Sequence, residues 1–211
     1  TFGAGFMCTG QLVNSTTGDR SPLFLTANHC VATQADATTL VVYWKYESPT
    51  CRAVGSAANG TPIPRNGNSI TQTGGAALLA TYEPSDFTLL ELRTAFPAGV
   101  EPYWSGWDRS GTTPPSAFTL HHPAGDEKRI SLENDPLSVT TVDVLFGRGR
   151  ILPAGNGLRV LDWDDGITGA CPWAGPAAAT TPAACRTGSI RPAPARRPSM
   201  AAAAARLQRS R

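Results

Sequence analysis

His29 is the residue of this sequence best placed to move a proton. It closes the stretch Leu25-Thr26-Ala27-Asn28-His29-Cys30, after the apolar run Leu23-Phe24-Leu25 and directly before a cysteine. A proton-transferring base must be held in one orientation and still be open to a substrate. A histidine at a strand end, stapled by a disulfide at the next residue, meets both needs. The plain alternative is a half-buried structural histidine beside a structural cysteine. Asp86 is the second group of interest. It ends the turn Glu83-Pro84-Ser85-Asp86, which runs into Phe87-Thr88-Leu89-Leu90-Glu91-Leu92. An aspartate at such a junction can be buried where it orients a base, or can satisfy local backbone N–H groups. His121-His122 suggests a metal, but adjacent strand residues face opposite sides and no carboxylate stands at helical spacing from them, so no metal is expected.

The elements that must carry these residues are short strands. Residues 6–14 and 23–29 read as a hairpin joined at Ser15-Thr16-Thr17-Gly18-Asp19. Residues 39–46 are β-branched and aromatic, a further strand, and residues 59–75 are rich in Gly, Asn, Thr and Pro and read as a long loop. Residues 76–82 and 87–92 are strands on either side of the Asp86 turn. Residues 97–102 read as a linker. Strands are then expected at 117–123, 128–132, 139–146 and 158–163. No amphipathic helix of useful length is visible before residue 168. The spacing of short strands and turn residues indicates an all-β sandwich or barrels.

The 211 residues suffice for one large domain or two small barrels. No apolar run approaches the ~20 residues of a membrane span. The sequence opens on Thr1 and shows no charged-then-apolar leader. Of five cysteines, Cys8 and Cys30 flank the hairpin, and a bridge between them is worth roughly 3 kcal/mol in the chain-entropy model. Low charge and such a bridge argue for an exported protein. No cysteine has C-x-x-C spacing. Charge is uneven: residues 1–168 hold 11 basic and 16 acidic side chains, net −5, whereas residues 169–211 hold seven arginines and no acid, net +7.

A base histidine, an orienting carboxylate and a later serine are the parts of a serine-protease triad, in the order His, Asp, Ser. The sequence resembles the bacterial lysyl endopeptidase branch of the trypsin-like serine proteases. The resemblance is carried by Cys8-Thr9-Gly10-Gln11-Leu12-Val13-Asn14, Phe24-Leu25-Thr26-Ala27-Asn28-His29-Cys30, Val41-Val42-Tyr43-Trp44 and Thr50-Cys51-Arg52-Ala53. It continues through Ser85-Asp86-Phe87-Thr88-Leu89-Leu90-Glu91-Leu92, Gly106-Trp107-Asp108-Arg109, His121-His122-Pro123 and Glu127-Lys128-Arg129-Ile130-Ser131. The resemblance implies an all-β, chymotrypsin-like double β-barrel: a first barrel over 1–96, a second, incomplete one over 97–168, and a disordered tail over 169–211. It implies His29 as general base, Asp86 as the carboxylate orienting it, and Cys8–Cys30 as the bridge beside them. It makes His121-His122 part of a second-barrel strand. It also implies that Cys51 is unpaired, because the family's partner cysteine lies in an N-terminal segment that this sequence lacks. No cofactor is implied. The expected protein is a secreted bacterial monomer acting on protein or peptide substrates, with no nucleic-acid or membrane partner.

The resemblance breaks where the nucleophile belongs. The family's Gly-Ser-Ser-Gly-Ser-Pro-like stretch is due after Asp164-Asp165-Gly166-Ile167-Thr168, and the sequence instead reads Gly169-Ala170-Cys171-Pro172-Trp173-Ala174. No Gly-x-Ser-Gly occurs downstream, and Ser110, Ser189 and Ser199 do not fit the role. The Ala, Pro, Arg and Gly of residues 169–211 are what an out-of-frame reading of G/C-rich DNA would encode, so a frameshift or join near codon 168 is expected, and with it an inactive chain. Two alternatives stand beside it. One is a non-enzymatic pseudoprotease or binding module with a genuine basic tail for an anionic surface. The other is a hydrolase using an unrelated nucleophile such as Cys171.

Overall fold

A computed structural model describes residues 7–52, 56–141, 143–146, 150–160, 163–166 and 173–174. The architecture is all-β. Among the described residues the α-helical content is one five-residue helix, α1 (Gln34–Thr38). The strands are β1 (Gln11–Leu12), β2 (Leu23–Thr26), β3 (Val42–Trp44), β4 (Ile70–Gln72), β5 (Ala76–Tyr82) and β6 (Phe87–Leu92) in the first part. They are followed by β7 (Ala117–His121), β8 (Arg129–Glu133), β9 (Ser138–Val139), β10 (Val144–Phe146), β11 (Arg150–Leu152), β12 (Leu158–Arg159), β13 (Asp165–Gly166) and β14 (Trp173–Ala174).

The sheet that matters for the site runs β1-β2-β6-β5, all antiparallel. β2 sits inside it, and its register sets Thr26 opposite Thr88 and Leu25 opposite Leu89. β5 matches β6 with a bulge between Leu78 and Ala80, ending with Thr81 opposite Thr88. The inward residues Leu12, Phe24, Val31, Ala37, Ala76, Leu90 and Leu92 form one buried cluster. Edge-to-face rings extend it, Phe24 to Trp44, Trp44 to Phe96 and Phe96 to Trp104, with centroids 5.7–6.1 Å apart. Trp104 thereby anchors the chain beyond residues 97–102, and Ser105 bonds back to β1 through Asn14 N–H and Leu12 C=O.

The second part has sheets β13-β8-β7 and β14-β12-β9 and the pair β10-β11. A separate cluster of Ala117, Leu137 and Val160 lies there. The β7–β8 pair buries its polar side. His121 and Ser131 are fully buried and Glu133 nearly so, while Leu120 and Ile130, paired across the strands, are 53% and 46% exposed.

One sequence expectation is corrected. Residues 59–75 are not one loop, because Ile70–Gln72 pairs with Val42–Trp44 as β4. Tertiary pairing, and the bond from Trp44 Nε1–H to Gln72 Oε1 at 2.7 Å, override a turn-rich local sequence. Within residues 169–211 the two described residues, Trp173 and Ala174, pair with β12 as β14. The expected disorder of the rest of residues 169–211, and Cys171, Cys185, Ser189 and Ser199, lie outside the described residues.

Candidate active site

β2 ends at Thr26, and the chain then folds tightly over Ala27, whose carbonyl accepts from the N–H groups of both Cys30 and Val31 at 3.2 Å. That turn brings His29 out beside the N-terminal end of β6. Asp86 reaches the same point from the other side. A single 3₁₀ turn, Glu83–Ser85, with Pro84 inside it, ends on Asp86 in the left-handed region (φ 51°, ψ 42°). Aspartate is one of the few residues that enters this region at modest cost. There its N–H donates to Glu83 C=O at 2.9 Å, its C=O accepts from Asn28 N–H at 3.1 Å, and its side chain turns toward His29.

The carboxylate grips His29 twice. His29 Nδ1–H donates to Asp86 Oδ2 at 2.6 Å, and His29 backbone N–H donates to Asp86 Oδ1 at 2.8 Å. Both residues are buried, 8% and 9% exposed. A carboxylate on Nδ1–H selects the tautomer that carries its lone pair on Nε2, the arrangement a proton-accepting base needs. The Cys8–Cys30 disulfide, Cα atoms 6.5 Å apart, ties the residue after His29 to the segment before β1. Cys51 is free and exposed.

Other residues of interest are placed as follows. His122 Nδ1–H donates to Asp126 C=O at 2.9 Å, and its ring stacks on Tyr46 at 5.8 Å. Burial pushes its pKa below the ordinary histidine value. Among the described residues neither ring nitrogen of His121 has a hydrogen-bond partner of good geometry, and burial pushes its pKa down to about 4. The two rings thus have separate surroundings, and neither belongs to a cluster of three possible metal ligands among the described residues. Two such clusters exist there. One is Cys8, His29 and Cys30, whose sulfurs are spent on each other. The other is Glu133, Asp135 and Asp164, which backbone N–H groups and a raised Glu133 pKa already account for. Ser110 donates its hydroxyl to Asp108 at 2.7 Å in an exposed turn, with no histidine bonded to it among the described contacts. No helix among the described residues is long and apolar enough to cross a membrane.

Residues 1–171 match the family described as the lysyl endopeptidase C-terminal domain. The chain belongs to this family. The lysyl endopeptidase of Pseudomonas aeruginosa is 36% identical over 134 residues, which is 63% of this chain and 27% of that protein's length. The match therefore spans far less than two thirds of that relative. Membership makes this a chain of the serine endopeptidase class, and the matched residues include both His29 and Asp86. The structure brings His29 and Asp86, both singled out from the sequence, into contact and forms the Cys8–Cys30 bridge. Sequence reasoning missed the left-handed backbone at Asp86, for which the Pro84-Ser85-Asp86 turn is the one available signal, and it missed Thr81 and Thr88 behind the pair.

Proposed function

We propose that this chain derives from a secreted endopeptidase cutting proteins by acyl-enzyme chemistry, and that as encoded it does not complete the reaction. The observation that carries the reading is the double grip of Asp86 on His29, 2.6 Å to the ring and 2.8 Å to the backbone. In an intact form His29 takes the proton from the nucleophilic serine and returns it to the leaving amine, while Asp86 holds the tautomer and stabilises the imidazolium. The family's two-barrel plan is part of the reading. It is supported by separate buried clusters around Leu90 and around Val160. Cleavage after lysine is taken from the relative's name. The substrate is a protein or peptide, met by a monomer without cofactor.

Inactivity rests on the sequence after Thr168, which lacks Gly-x-Ser-Gly. A general base without nucleophile and oxyanion hole gives little rate, because triad members act as a unit. The test has two arms. The coding DNA across codons 160–211 is read in all three frames, and the full chain is assayed on a lysyl peptide amide. The reading expects no turnover from the chain as encoded and a Gly-x-Ser-Gly in another frame. It further expects activity once that frame is restored, falling by about 10⁶-fold in His29→Ala. Turnover by the present chain refutes the inactivity, and absence of the motif in every frame refutes the protease origin of the tail.

A further inference from the structure

Behind the His29–Asp86 pair a row of side-chain hydroxyls crosses the sheet. Thr81 and Thr88 are directly opposed on β5 and β6, and Thr88 is opposed by Thr26 on β2. Asn28 Nδ2–H donates to Thr81 Oγ1 at 2.7 Å. Thr81 and Thr88 hydroxyls are 2.8 Å apart, and Thr88 Oγ1–H donates to Val31 C=O at 2.8 Å. A threonine hydroxyl has one proton. Thr88 Oγ1–H has Val31 C=O within reach, and Thr81 Oγ1–H has either Phe87 C=O at 3.1 Å or Thr88 Oγ1. The bonded groups form one chain: Asn28, Thr81, Thr88, Val31.

The two ends of that chain matter. Asn28 precedes His29 and Val31 follows Cys30, so the relay closes a loop around the base. Its middle members lie on the strands flanking Asp86, and Thr88 stands two residues after it. Thr88 is fully buried and Asn28 nearly so, where hydrogen bonds are hard to replace by water. We propose that Thr81 and Thr88 are positioning residues for the base. Their hydroxyl relay fixes segment 28–31 against β6, so that the His29 Nδ1–H stays on Asp86. The proposal rests on the pairing of His29 with Asp86 as base and orienting group, and extends it to residues that touch neither substrate nor the reacting atoms.

The relay can be tested without hydrolysis. Proton NMR of the full chain follows the strongly downfield Nδ1–H signal of the His29–Asp86 bond, assigned by its loss in His29→Ala, and measures its exchange with solvent. Thr81→Val keeps the shape and removes the hydroxyl; Thr81→Ser keeps the hydroxyl and removes the methyl. The expected result is exchange about tenfold faster in Thr81→Val, the order of one lost hydrogen bond, and near-native exchange in Thr81→Ser. Thr88→Val should repeat the Thr81→Val result, and covers the case in which one variant fails to fold. Native-like exchange in both valine variants overturns the relay. Equal acceleration in Thr81→Val and Thr81→Ser also overturns it, since packing rather than the hydroxyl would then be responsible. If the native chain shows no such proton, the His29–Asp86 pairing itself is wrong and the relay falls with it.

Discussion

Replacing Glu127 by glutamine should destabilise the fold far more than its distance from the site suggests. The Glu127 side chain is fully buried. One carboxylate oxygen accepts from Arg52 Nη1 at 3.0 Å and from Arg129 Nη2, and the other from Ile63 N–H at 3.2 Å. Arg52 also donates to the carbonyl of Ala58, and Arg129 belongs to β8. One negative charge therefore holds two guanidinium groups and joins residues 52–63 to the second part of the chain. A glutamine amide fills the space but leaves two nearly buried cations facing a neutral group. A charge pair near 4 Å is worth about 4 kcal/mol at an effective dielectric of 20. Measured losses on breaking one buried pair are about 3–5 kcal/mol. Against a total stability of about 5–15 kcal/mol this is a large share. With a urea m-value of about 2 kcal/mol/M, the midpoint falls by roughly 1.5–2.5 M. The assay is urea unfolding of Glu127→Gln, Arg52→Gln and the double variant, followed by tryptophan fluorescence. The double variant should lose less than the sum of the singles, because the neutral amide then faces one cation rather than two. A loss under about 1 kcal/mol in Glu127→Gln, or strict additivity, refutes the account.

Three further outcomes follow from the same structure. Burial, then the neighbouring Asp164, raises the Glu133 pKa to about 7. The folded state thus binds a proton that the unfolded chain releases above its ordinary value near 4.5, so this contribution to stability is full below pH 4.5 and lost as pH rises through about 7. Glu133→Gln should remove that downward slope in denaturation midpoints measured from pH 4.5 to 8, and an unchanged slope rejects the assignment. His121 has the opposite sign. Its pKa of about 4 lies below the ordinary 6.5, so its share of stability is present above 6.5 and is lost as pH falls through about 4. Because neither ring nitrogen has a hydrogen-bond partner of good geometry among the described residues, His121→Leu should stabilise the protein by about 1–2 kcal/mol at pH 7 and flatten the acid limb. A destabilised variant would show that the ring has a partner after all. Finally, a mild thiol reagent applied to the folded chain should modify Cys51 and spare Cys8 and Cys30, read by peptide mass spectrometry. A protected Cys51 contradicts its exposure.

The first half of the fold was far more legible than the second, for physical reasons. Residues 76–82 and 87–92 match β5 and β6 at both ends, because β-branched and apolar runs there are bounded by Gly75 and by the Pro84 turn. The helix α1 was missed although its start signal is present: Thr33 caps it, and Asp36 bonds back to Thr33 N–H at 3.0 Å. Five residues are too few to show a helical period. β4 was hidden because three residues, even with Ile70 and Thr71 favouring a strand, do not stand out from the Gly-, Asn- and Pro-rich sequence around them. In β7 and β8, a simple alternation would bury Leu120, Ile130 and Leu132. The structure buries His121, Ser131 and Glu133 instead. No period-2 rule anticipates an inward polar side, since alternation decides which residues share a face and not which face turns inward.

The same asymmetry bears on what the chain retains. The contacts described for His29 and Asp86 come from residues 26–31 and 81–88, with the disulfide to Cys8. None of them depends on residues after Thr168. On the proposed reading the first sheet orients the proton-accepting pair and the second part of the chain supplies the nucleophile, a division that the contacts among the described residues support. It also sets an order of events: on the proposed reading, restoring the frame supplies a serine to a base already oriented, so the gain in activity should come without any change in the His29 Nδ1–H signal. A signal that appears only after the frame is restored would mean that the second half helps to build the pair, and the division would be wrong.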